Sequence, residues 1–344
     1  MVKNRIWVVT FGFILFLFFI SCESVAESTK DRQFTQDTID SVHAHMRPLE
    51  KAPEGAYDPA ILEYFKHYNL TVESPITHRF GYIKSQGFFI AAHWYLPENP
   101  KATVFLLHGY LTHTGYLHHV IHFLLENGYA VASMDLPGHG FSTGKRASIG
   151  NFHTYAQVLD DFINASESNF PEPFHVIGHS TGCSAIIEHM YTIEDRFDKV
   201  ILTGPLVRNV LWGLSMFGNT VFGPFLTSVP NVVRRTTSNE EFNEFKKQKD
   251  PFLVESLPLE WVDALSTWYR EIQKYPVLDR KVIIIQGKDD TVVDWEYNVT
   301  FLKGKFDTEV HYIPKAGHDM HNEITKIRNK VLTIIEQKLS APVY

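Results

Sequence analysis

The sequence predicts an α/β fold with a mostly parallel, eight-stranded sheet, helices on both faces and a helical cap insertion. Two observations support this prediction. Short apolar runs rich in β-branched and aromatic residues alternate with longer segments of helical periodicity, as in sheets built from strand–helix–strand units. The alternation stops at residues 206–275 and resumes after them, which is the pattern expected of a cap inserted into the core.

The N-terminal part of the chain precedes this alternation. Residues 22–75 are polar and mixed in character, and they predict a tether followed by one short helix near residues 61–65. Two strand-like runs follow, and Ser85-Gln-Gly87 separates them as a turn would, so they predict an antiparallel hairpin at one edge of the sheet.

The first part of the core spans residues 76–205. Its predicted strands cover residues 77–83, 88–96, 103–107, 129–134, 174–177 and 199–203. Its predicted helices cover residues 113–127 and 152–166 and a segment that begins after residue 180. The run at 103–107 is apolar throughout, which indicates a strand covered on both faces.

The cap, residues 206–275, opens with an uncharged run over residues 209–233. Glycine and proline residues interrupt this run, and it lies between two sheet strands, so a membrane span is excluded. Two interpretations remain open: the run packs on the core, or it lines an acyl-chain channel or contacts lipid. The later part of the cap is charged and helical, with a helix start at Asp250-Pro251.

The core resumes over residues 276–344. Strands are predicted at residues 281–286 and 309–314, and helices from residue 295 and over residues 322–338.

Residues 1–21 have the pattern of a signal peptide and are left out of the fold. Lys3 and Arg5 precede an uncharged apolar run over residues 6–20. Such a run is long enough for a secretory signal and short for a membrane span.

The end of this segment, Ser21-Cys22, resembles the lipobox of bacterial lipoproteins. The resemblance implies cleavage before Cys22 and lipidation of its thiol. The alternatives are cleavage after Ala26 and an uncleaved anchor. The chain is therefore expected to be exported, either as a membrane-anchored lipoprotein of the bacterial cell envelope or as a secreted or periplasmic protein.

The composition restricts the partners of the chain. The net charge of −7 and the lack of a basic patch argue against nucleic acid. Nothing in the sequence implies an obligate protein partner. Besides Cys22 the chain has one cysteine, Cys183, and we expect it to be a buried, inert thiol.

The segment Gly178-His-Ser-Thr-Gly182 follows a predicted strand and precedes a predicted helix. Strand, Gly-x-Ser-x-Gly and helix in this order form a nucleophile elbow, in which a tight turn presents the serine hydroxyl at the helix N-terminus. Ser180 is therefore the candidate nucleophile, and the Thr181 backbone N–H is a candidate oxyanion donor. The alternative, an ordinary surface turn, does not account for the partners described next.

A serine nucleophile needs a general base, and the base needs an acid to orient it. Three carboxylates follow the strand at 281–286, and Asp290 is favoured as the acid because it lies beyond the tight turn that Gly287 begins. Asp289 is its main rival, whereas Asp294 fits a helix N-cap.

The base is expected in the loop after the last strand. His318 follows Gly317 on this loop and is favoured, whereas His321 lies at the entry of the next helix. The second oxyanion donor is expected after the third strand, in His108-Gly-Tyr110, from the Tyr110 backbone N–H.

These segments resemble the monoacylglycerol lipase and lysophospholipase branch of the α/β-hydrolases, sometimes grouped with serine aminopeptidases. The resemblance covers about residues 76–338. The motifs that carry it are His108-Gly-Tyr110, Asp135-Leu-Pro-Gly-His-Gly-Phe-Ser142, Gly178-His-Ser-Thr-Gly182, Asp250-Pro251, Gly287-Lys-Asp-Asp290 and Gly317-His318. Thr181 stands where many members carry Met, which keeps the backbone donor and changes one pocket wall. In the family the loop around His139 is structural.

The resemblance implies an α/β-hydrolase fold and a serine hydrolase that cleaves carboxylic esters. It favours a lysophospholipase or monoacylglycerol lipase that acts on a lipid or ester substrate at a membrane surface and releases fatty acid through an acyl-enzyme. No metal or organic cofactor is implied, and the histidines at 118 and 122 do not favour zinc, which needs a third ligand. The alternatives are a short-chain carboxylesterase, an aminopeptidase-type serine hydrolase and a catalytically silent binding lipoprotein.

Overall fold

The computed structural model describes residues 34–213, 215–216 and 225–342. The predicted signal peptide at residues 1–21 and the predicted lipidation site Cys22 lie outside these residues. Among the residues that the structure describes, no helix combines the length and apolarity needed to cross a membrane.

The strands of the structure, in chain order, are β1 (Thr77–Ser85), β2 (Phe88–Leu96), β3 (Thr103–Leu107), β4 (Ala130–Met134), β5 (Phe174–His179), β6 (Lys199–Thr203), β7 (Ser228–Pro230), β8 (Ser256–Pro258), β9 (Lys281–Gly287) and β10 (Asp307–Ile313). The α-helices are α1 (Gln36–His45), α2 (Pro59–His67), α3 (His118–Glu126), α4 (His153–Ser166), α5 (Thr181–Thr192), α6 (Glu240–Gln248), α7 (Leu259–Ile272), α8 (Trp295–Lys303) and α9 (Thr325–Leu339).

Eight strands form one sheet in the order β1-β2-β4-β3-β5-β6-β9-β10. The hairpin β1–β2 is antiparallel and lies at one edge, and β2 is also antiparallel to β4. All other neighbours in the sheet are parallel. The predicted fold class is thereby confirmed. Because parallel strands end at the same edge, the loops that follow β3, β5, β9 and β10 meet there.

Both faces of the sheet are covered, and β3 shows how. Phe105 and Leu107 belong to one apolar cluster, which also contains residues of α4, α5 and α7. Val104 and Leu106 belong to the cluster on the opposite face, which contains residues of α3 and α9. Alternate side chains of a strand point to opposite faces, so an entirely apolar strand is the consequence of burial on both.

The N-terminal segment differs from its prediction. Where a tether and one short helix are expected, residues 34–75 contain both α1 and α2, and they pack on the sheet. Phe34, Tyr64 and Leu70 are completely buried, and the Tyr64 hydroxyl lies 3.1 Å from His93 Nε2 on β2. The buried residues of α1 are Ile39 and Val42. Two apolar residues in an otherwise polar segment are too few for the sequence to indicate a packed helix.

The cap also contains structure that the sequence does not indicate. In addition to α6 and α7 it has a small antiparallel sheet of β7 and β8. The predicted helix start at Asp250-Pro251 is wrong, because α6 ends at Gln248, just before it. Asp250 begins a turn in which its carboxylate accepts the Phe252 N–H at 2.9 Å. The next helix begins only at Leu259.

Candidate active site

The turn between β5 and α5 holds Ser180 in a strained backbone conformation. Its φ of 52° and ψ of −114° are unusual for a residue with a side chain, and such strain is typical of functional sites. Two glycines make the turn sterically feasible. A Cβ at Gly178 would lie 2.8 Å from Cys183 N, and one at Gly182 would lie 2.7 Å from the His108 carbonyl oxygen. The two glycines thus allow the sharp turn that presents Ser180.

Asp290 and His318 form a hydrogen-bonded pair at the same edge of the sheet. His318 Nδ1 lies 2.7 Å from Asp290 Oδ2, and both side chains are buried. The other carboxylate oxygen accepts the backbone N–H groups of Val292 at 2.8 Å and Val293 at 3.1 Å. Gln286 Nε2 donates to Oδ2 at 3.2 Å. The carboxylate of Asp290 is therefore held rigidly, with one oxygen directed at the imidazole.

The electrostatics of this pair favour an ionised acid and a basic imidazole. Burial acts to raise the pKa of Asp290, but the charge of His318 and the hydrogen bonds to the carboxylate outweigh it, so the pKa is lowered. Burial acts to lower the pKa of His318, but Asp290 outweighs it and the pKa is raised. The imidazole is thus a stronger base than an isolated histidine.

Several contacts place His318 beside the Ser180 turn. The imidazole rings of His318 and His179, the residue before Ser180, have centroids 4.7 Å apart. A Cβ at Gly204 would lie 3.3 Å from His318 Nδ1. The chain around Gly204 also touches the serine, since the Ser180 N–H donates to the Thr203 carbonyl oxygen at 3.0 Å.

The rival acids and base lie in other environments. Asp289 is exposed. Asp294 is the N-cap of α8 and also binds Arg208, with Oδ2 2.6 Å from Nη2. His321 Nε2 lies 2.9 Å from Thr203 Oγ1, and burial lowers the pKa of this histidine to about 3. Of the candidate acids and bases, only Asp290 and His318 are brought together by the fold.

The peptide that links Gly109 to Tyr110 has a fixed orientation. The Gly109 carbonyl oxygen lies 2.7 Å from His108 Nδ1 and accepts the Thr112 hydroxyl at 2.8 Å. His108 Nε2 accepts the Leu136 N–H at 2.8 Å, so Nδ1 carries the proton and donates to Gly109. The N–H and C=O of a trans peptide point in opposite directions. The Tyr110 N–H is therefore directed away from this cluster.

Two backbone donors thus lie close to the serine. A Cβ at Gly109 would be 2.9 Å from Ser180 Cβ, so the peptide that carries the Tyr110 N–H passes directly beside the turn. Thr181 is the first residue of α5, where a backbone N–H has no acceptor within the helix. The Thr181 side chain is itself fully buried. The two N–H groups therefore remain candidate donors to an oxyanion formed at Ser180.

The Tyr110 side chain connects this region to the cap. Its ring stacks on Trp261 of α7, with centroids 3.8 Å apart and planes inclined by 15°. Its hydroxyl donates to the Ala147 carbonyl oxygen at 2.8 Å. These two contacts hold the Tyr110 side chain between the core and α7.

No group of three or more potential ligands that could hold a metal ion occurs in residues 34–213, 215–216 and 225–342. The two histidines considered for zinc face backbone oxygens: His118 Nδ1 lies 3.1 Å from the Gly115 carbonyl oxygen, and His122 Nε2 lies 2.8 Å from the Asn69 carbonyl oxygen. Cys183 is a free, buried thiol whose pKa is raised by burial.

One ion pair beside His318 is not predicted from the sequence. Asp319 follows it directly, is buried, and pairs with Lys246 of the cap helix α6. The Asp in His-Asp-Met-His is visible in the sequence, but its partner lies some seventy residues earlier, and no spacing rule connects the two.

Comparison with known proteins identifies similar chains. The model of the family described as serine aminopeptidase, S33, matches residues 98–325. The monoglyceride lipase of Homo sapiens is 23% identical over 273 residues, which cover 74% of this chain and 87% of the relative. The monoacylglycerol lipase of Mycolicibacterium smegmatis is 29% identical over 248 residues, or 67% of this chain and 85% of the relative.

Solved structures agree on the fold. A soluble variant of monoglyceride lipase from Saccharomyces cerevisiae, solved with a substrate analogue, superposes with a TM-score of 0.67 at 19% identity. The superposition covers 78% of this chain and 97% of that one. The monoacylglycerol lipase of Paleococcus ferrophilus gives a TM-score of 0.61 at 20% identity, over 74% of this chain and 98% of that one.

Proposed function

The chain belongs to the serine aminopeptidase S33 family of hydrolases, and on this premise we propose that it is a serine esterase that releases fatty acid from monoacylglycerols or lysophospholipids. One observation carries the proposal: the strained Ser180 turn lies beside the hydrogen-bonded pair of Asp290 and His318. A nucleophile, a base and an orienting acid at one edge of the sheet are the set that acyl transfer requires.

In the proposed reaction, His318 takes the hydroxyl proton of Ser180 as the serine oxygen attacks the ester carbonyl carbon. The negative charge that forms on the carbonyl oxygen is held by the Tyr110 and Thr181 backbone N–H groups. Asp290 stabilises the imidazolium. The imidazolium then gives its proton to the leaving alcohol, the ester C–O bond breaks, and an acyl-enzyme remains. Water, deprotonated by His318, releases the fatty acid and restores the Ser180 hydroxyl.

Two observations support a lipid ester as the substrate. Several of the relatives are named monoglyceride or monoacylglycerol lipases. The described part of the 209–233 run exposes large apolar side chains: Leu211 is 66% exposed, Phe225 83% and Val232 58%. Trp212 in the same run packs on Tyr269 of α7, with ring centroids 4.9 Å apart. Such exposed apolar surface on a cap favours contact with acyl chains or a lipid surface.

The test of this proposal offers the full-length protein a long-chain monoacylglycerol and lysophosphatidylcholine side by side and measures fatty-acid release. We expect release from at least one of them at a rate at least tenfold above that from a short-chain ester or an aminoacyl amide, because an apolar cap favours long chains. Cleavage of only the short ester would make the chain a general esterase. Cleavage of only the amide would make it an aminopeptidase.

We also propose that Cys22 anchors the protein to a membrane as a lipoprotein, which would keep the enzyme at the surface that holds such substrates. The support is the Ser21-Cys22 junction after the apolar run of residues 6–20. Mass spectrometry of the mature N-terminus is expected to find Cys22 with attached acyl chains. An unmodified N-terminus that begins at Glu27, after Ala26, would refute the anchor.

A further inference from the structure

A second buried carboxylate lies beside His318. The side chain of Asp319 is 6% exposed, and Oδ1 lies 3.2 Å from His179 Nε2. Its other oxygen, Oδ2, accepts the Thr236 hydroxyl and lies 3.5 Å from Lys246 Nζ. Asp319 thus has partners in the core and in the cap, and neither contact is used by the reaction described above.

On the core side, Asp319 holds the ring on which His318 packs. The His179 ring is held at both nitrogens, because Nδ1 lies 3.1 Å from the Thr203 carbonyl oxygen and Nε2 faces Asp319. His179 directly precedes Ser180 in the chain, and its ring contacts the His318 ring with the two planes inclined by 47°. Loss of the Asp319 carboxylate would free one end of the His179 ring.

On the cap side, Asp319 meets a segment that rests on the His318 loop. The Asp319 N–H donates to the Thr236 carbonyl oxygen at 3.0 Å, and Lys246 Nζ donates to the Thr236 hydroxyl at 2.6 Å. A Cβ at Gly317 would lie 2.5 Å from the Thr236 carbonyl oxygen. The residues of the cap from Thr236 to Lys246 are therefore in direct contact with the loop that carries the base.

The charges around His318 act in opposite directions. Burial lowers the pKa of His318, Asp290 and Asp319 raise it, and Lys246 lowers it. Asp319 is ionised, since Lys246 and His179 hold the pKa of its carboxyl far below the usual range in spite of burial. The rings of His179 and His321 also lie in this region: the centroid of the His179 ring is 4.7 Å from that of His318 and 5.5 Å from that of His321. Lys246 is thus a cation of the cap that opposes protonation of His318.

We propose that Lys246 and Asp319 are a pair of positioning residues for His318, in which Asp319 aligns the His179 ring and Lys246 offsets the buried charge that would otherwise hold His318 protonated. The inference rests on the proposed function, because it assigns His318 the role of general base. It makes the strength of this base depend on a residue of the cap, so that contact between cap and core is needed for full activity near neutral pH.

The test measures how fast Ser180 of the full-length protein is labelled by a fluorophosphonate probe between pH 5 and pH 9. Labelling needs only an activated serine, so it does not depend on the lipid substrate. For Lys246→Gln we expect the midpoint of the acid limb to rise by about 0.5–1 pH unit, because His318 stays protonated to higher pH. Below the midpoint this means labelling that is about three- to tenfold slower, with little change at pH 9.

Asp319→Asn is expected to move the midpoint in the opposite direction, since it removes an anion that favours imidazolium. The double variant K246Q/D319N is expected to return close to the wild-type midpoint, and Lys246→Arg, which keeps the charge, is expected to leave it unchanged. The matched control is Lys145→Gln, which removes an exposed ion pair between core and cap, in which Lys145 Nζ lies 3.0 Å from Glu260 Oε2.

The outcomes separate the two proposals. Absence of labelling in the wild-type protein at every pH would refute the activated Ser180 and with it both proposals. Wild-type labelling with the same midpoint in Lys246→Gln and Asp319→Asn, or an equal shift in Lys246→Gln and Lys246→Arg, would overturn the positioning pair alone. Thermal unfolding of each variant is recorded as a check on folding. A shift of the pH midpoint of labelling in a variant that unfolds as the wild type does identifies charge as the cause.

Discussion

Replacement of Ser180 by alanine is expected to lower kcat for ester hydrolysis by roughly 10⁵–10⁶-fold, because removing the nucleophile of a serine hydrolase disables the whole catalytic set. The fold should survive the change. The backbone of the turn is held by the Ser180 N–H bond to Thr203 and by the N–H groups of Cys183 and Leu206, which donate to the Ser180 carbonyl oxygen. None of these bonds involves the hydroxyl.

The measurement is fatty-acid release in the presence of saturating substrate, with thermal unfolding of both proteins as a check on folding. Ser168→Ala, at an exposed position, is the matched control and should retain full activity. The double variant S180A/H318A should be no slower than S180A, since residues that act as a unit are not additive. More than about 1% of the wild-type rate in S180A, well above the loss expected for a nucleophile, would show that another group attacks the substrate.

The candidate site could be predicted from the sequence because each of its residues belongs to a short local motif. Ser180, Asp290 and His318 each lie in the loop or turn after a strand, and a glycine precedes each of them by one to three residues. Once the alternation of strands and helices predicts a parallel sheet, the ends of those strands must lie together. A short motif and a topology rule therefore suffice to bring three distant residues to one edge.

The contacts that connect the layers were not predictable in this way. The two-stranded β7–β8 sheet consists of three-residue strands, which leave no periodic pattern. Lys246 and Asp319 meet only because the cap folds back onto the His318 loop. The Asp-Pro sequence at Asp250 suggested a helix start, but the Asp250 side chain is a buried acceptor. Its partners Tyr68 and Tyr116 come from distant parts of the chain, so the sequence gives no sign of them. Such pairings are decided by tertiary packing, which carries no local signal.

Loss of the Asp250 carboxylate is expected to destabilise the protein strongly. Its side chain is 2% exposed and joins three parts of the structure. Oδ1 accepts the hydroxyl of Tyr68, which follows α2 of the N-terminal layer, at 2.8 Å, and Oδ2 accepts the hydroxyl of Tyr116 in the core. His113 Nε2 lies 3.7 Å away. For Asp250→Ala we expect the free energy of unfolding to fall by about 3–5 kcal/mol, because two buried hydroxyls lose their acceptor and a cavity is left.

The loss should be measured by urea unfolding at pH 7 and analysed as a double-mutant cycle. In a Tyr68→Phe/Tyr116→Phe background the same Asp250→Ala change should cost less, because no hydroxyl is then left without a partner. Equal costs in the two backgrounds would show that the carboxylate stabilises the protein by some other contact. Asp250→Asn should lie in between, since an amide keeps one acceptor oxygen but directs two N–H donors at groups that are themselves donors.

The pH dependence of stability should identify the carboxylate as the stabilising group. Burial acts to raise the pKa of Asp250, but His113 and the Tyr116 hydroxyl outweigh it and lower the pKa to about 2. A carboxyl with a pKa lower in the folded than in the unfolded chain stabilises the protein above its ordinary pKa of about 4, and this stability is lost as the pH falls toward 2. The difference in unfolding free energy between wild type and Asp250→Asn should therefore narrow as the pH falls below about 4. A difference that stays the same down to pH 3 would mean that Asp250 acts through its shape and not through its charge.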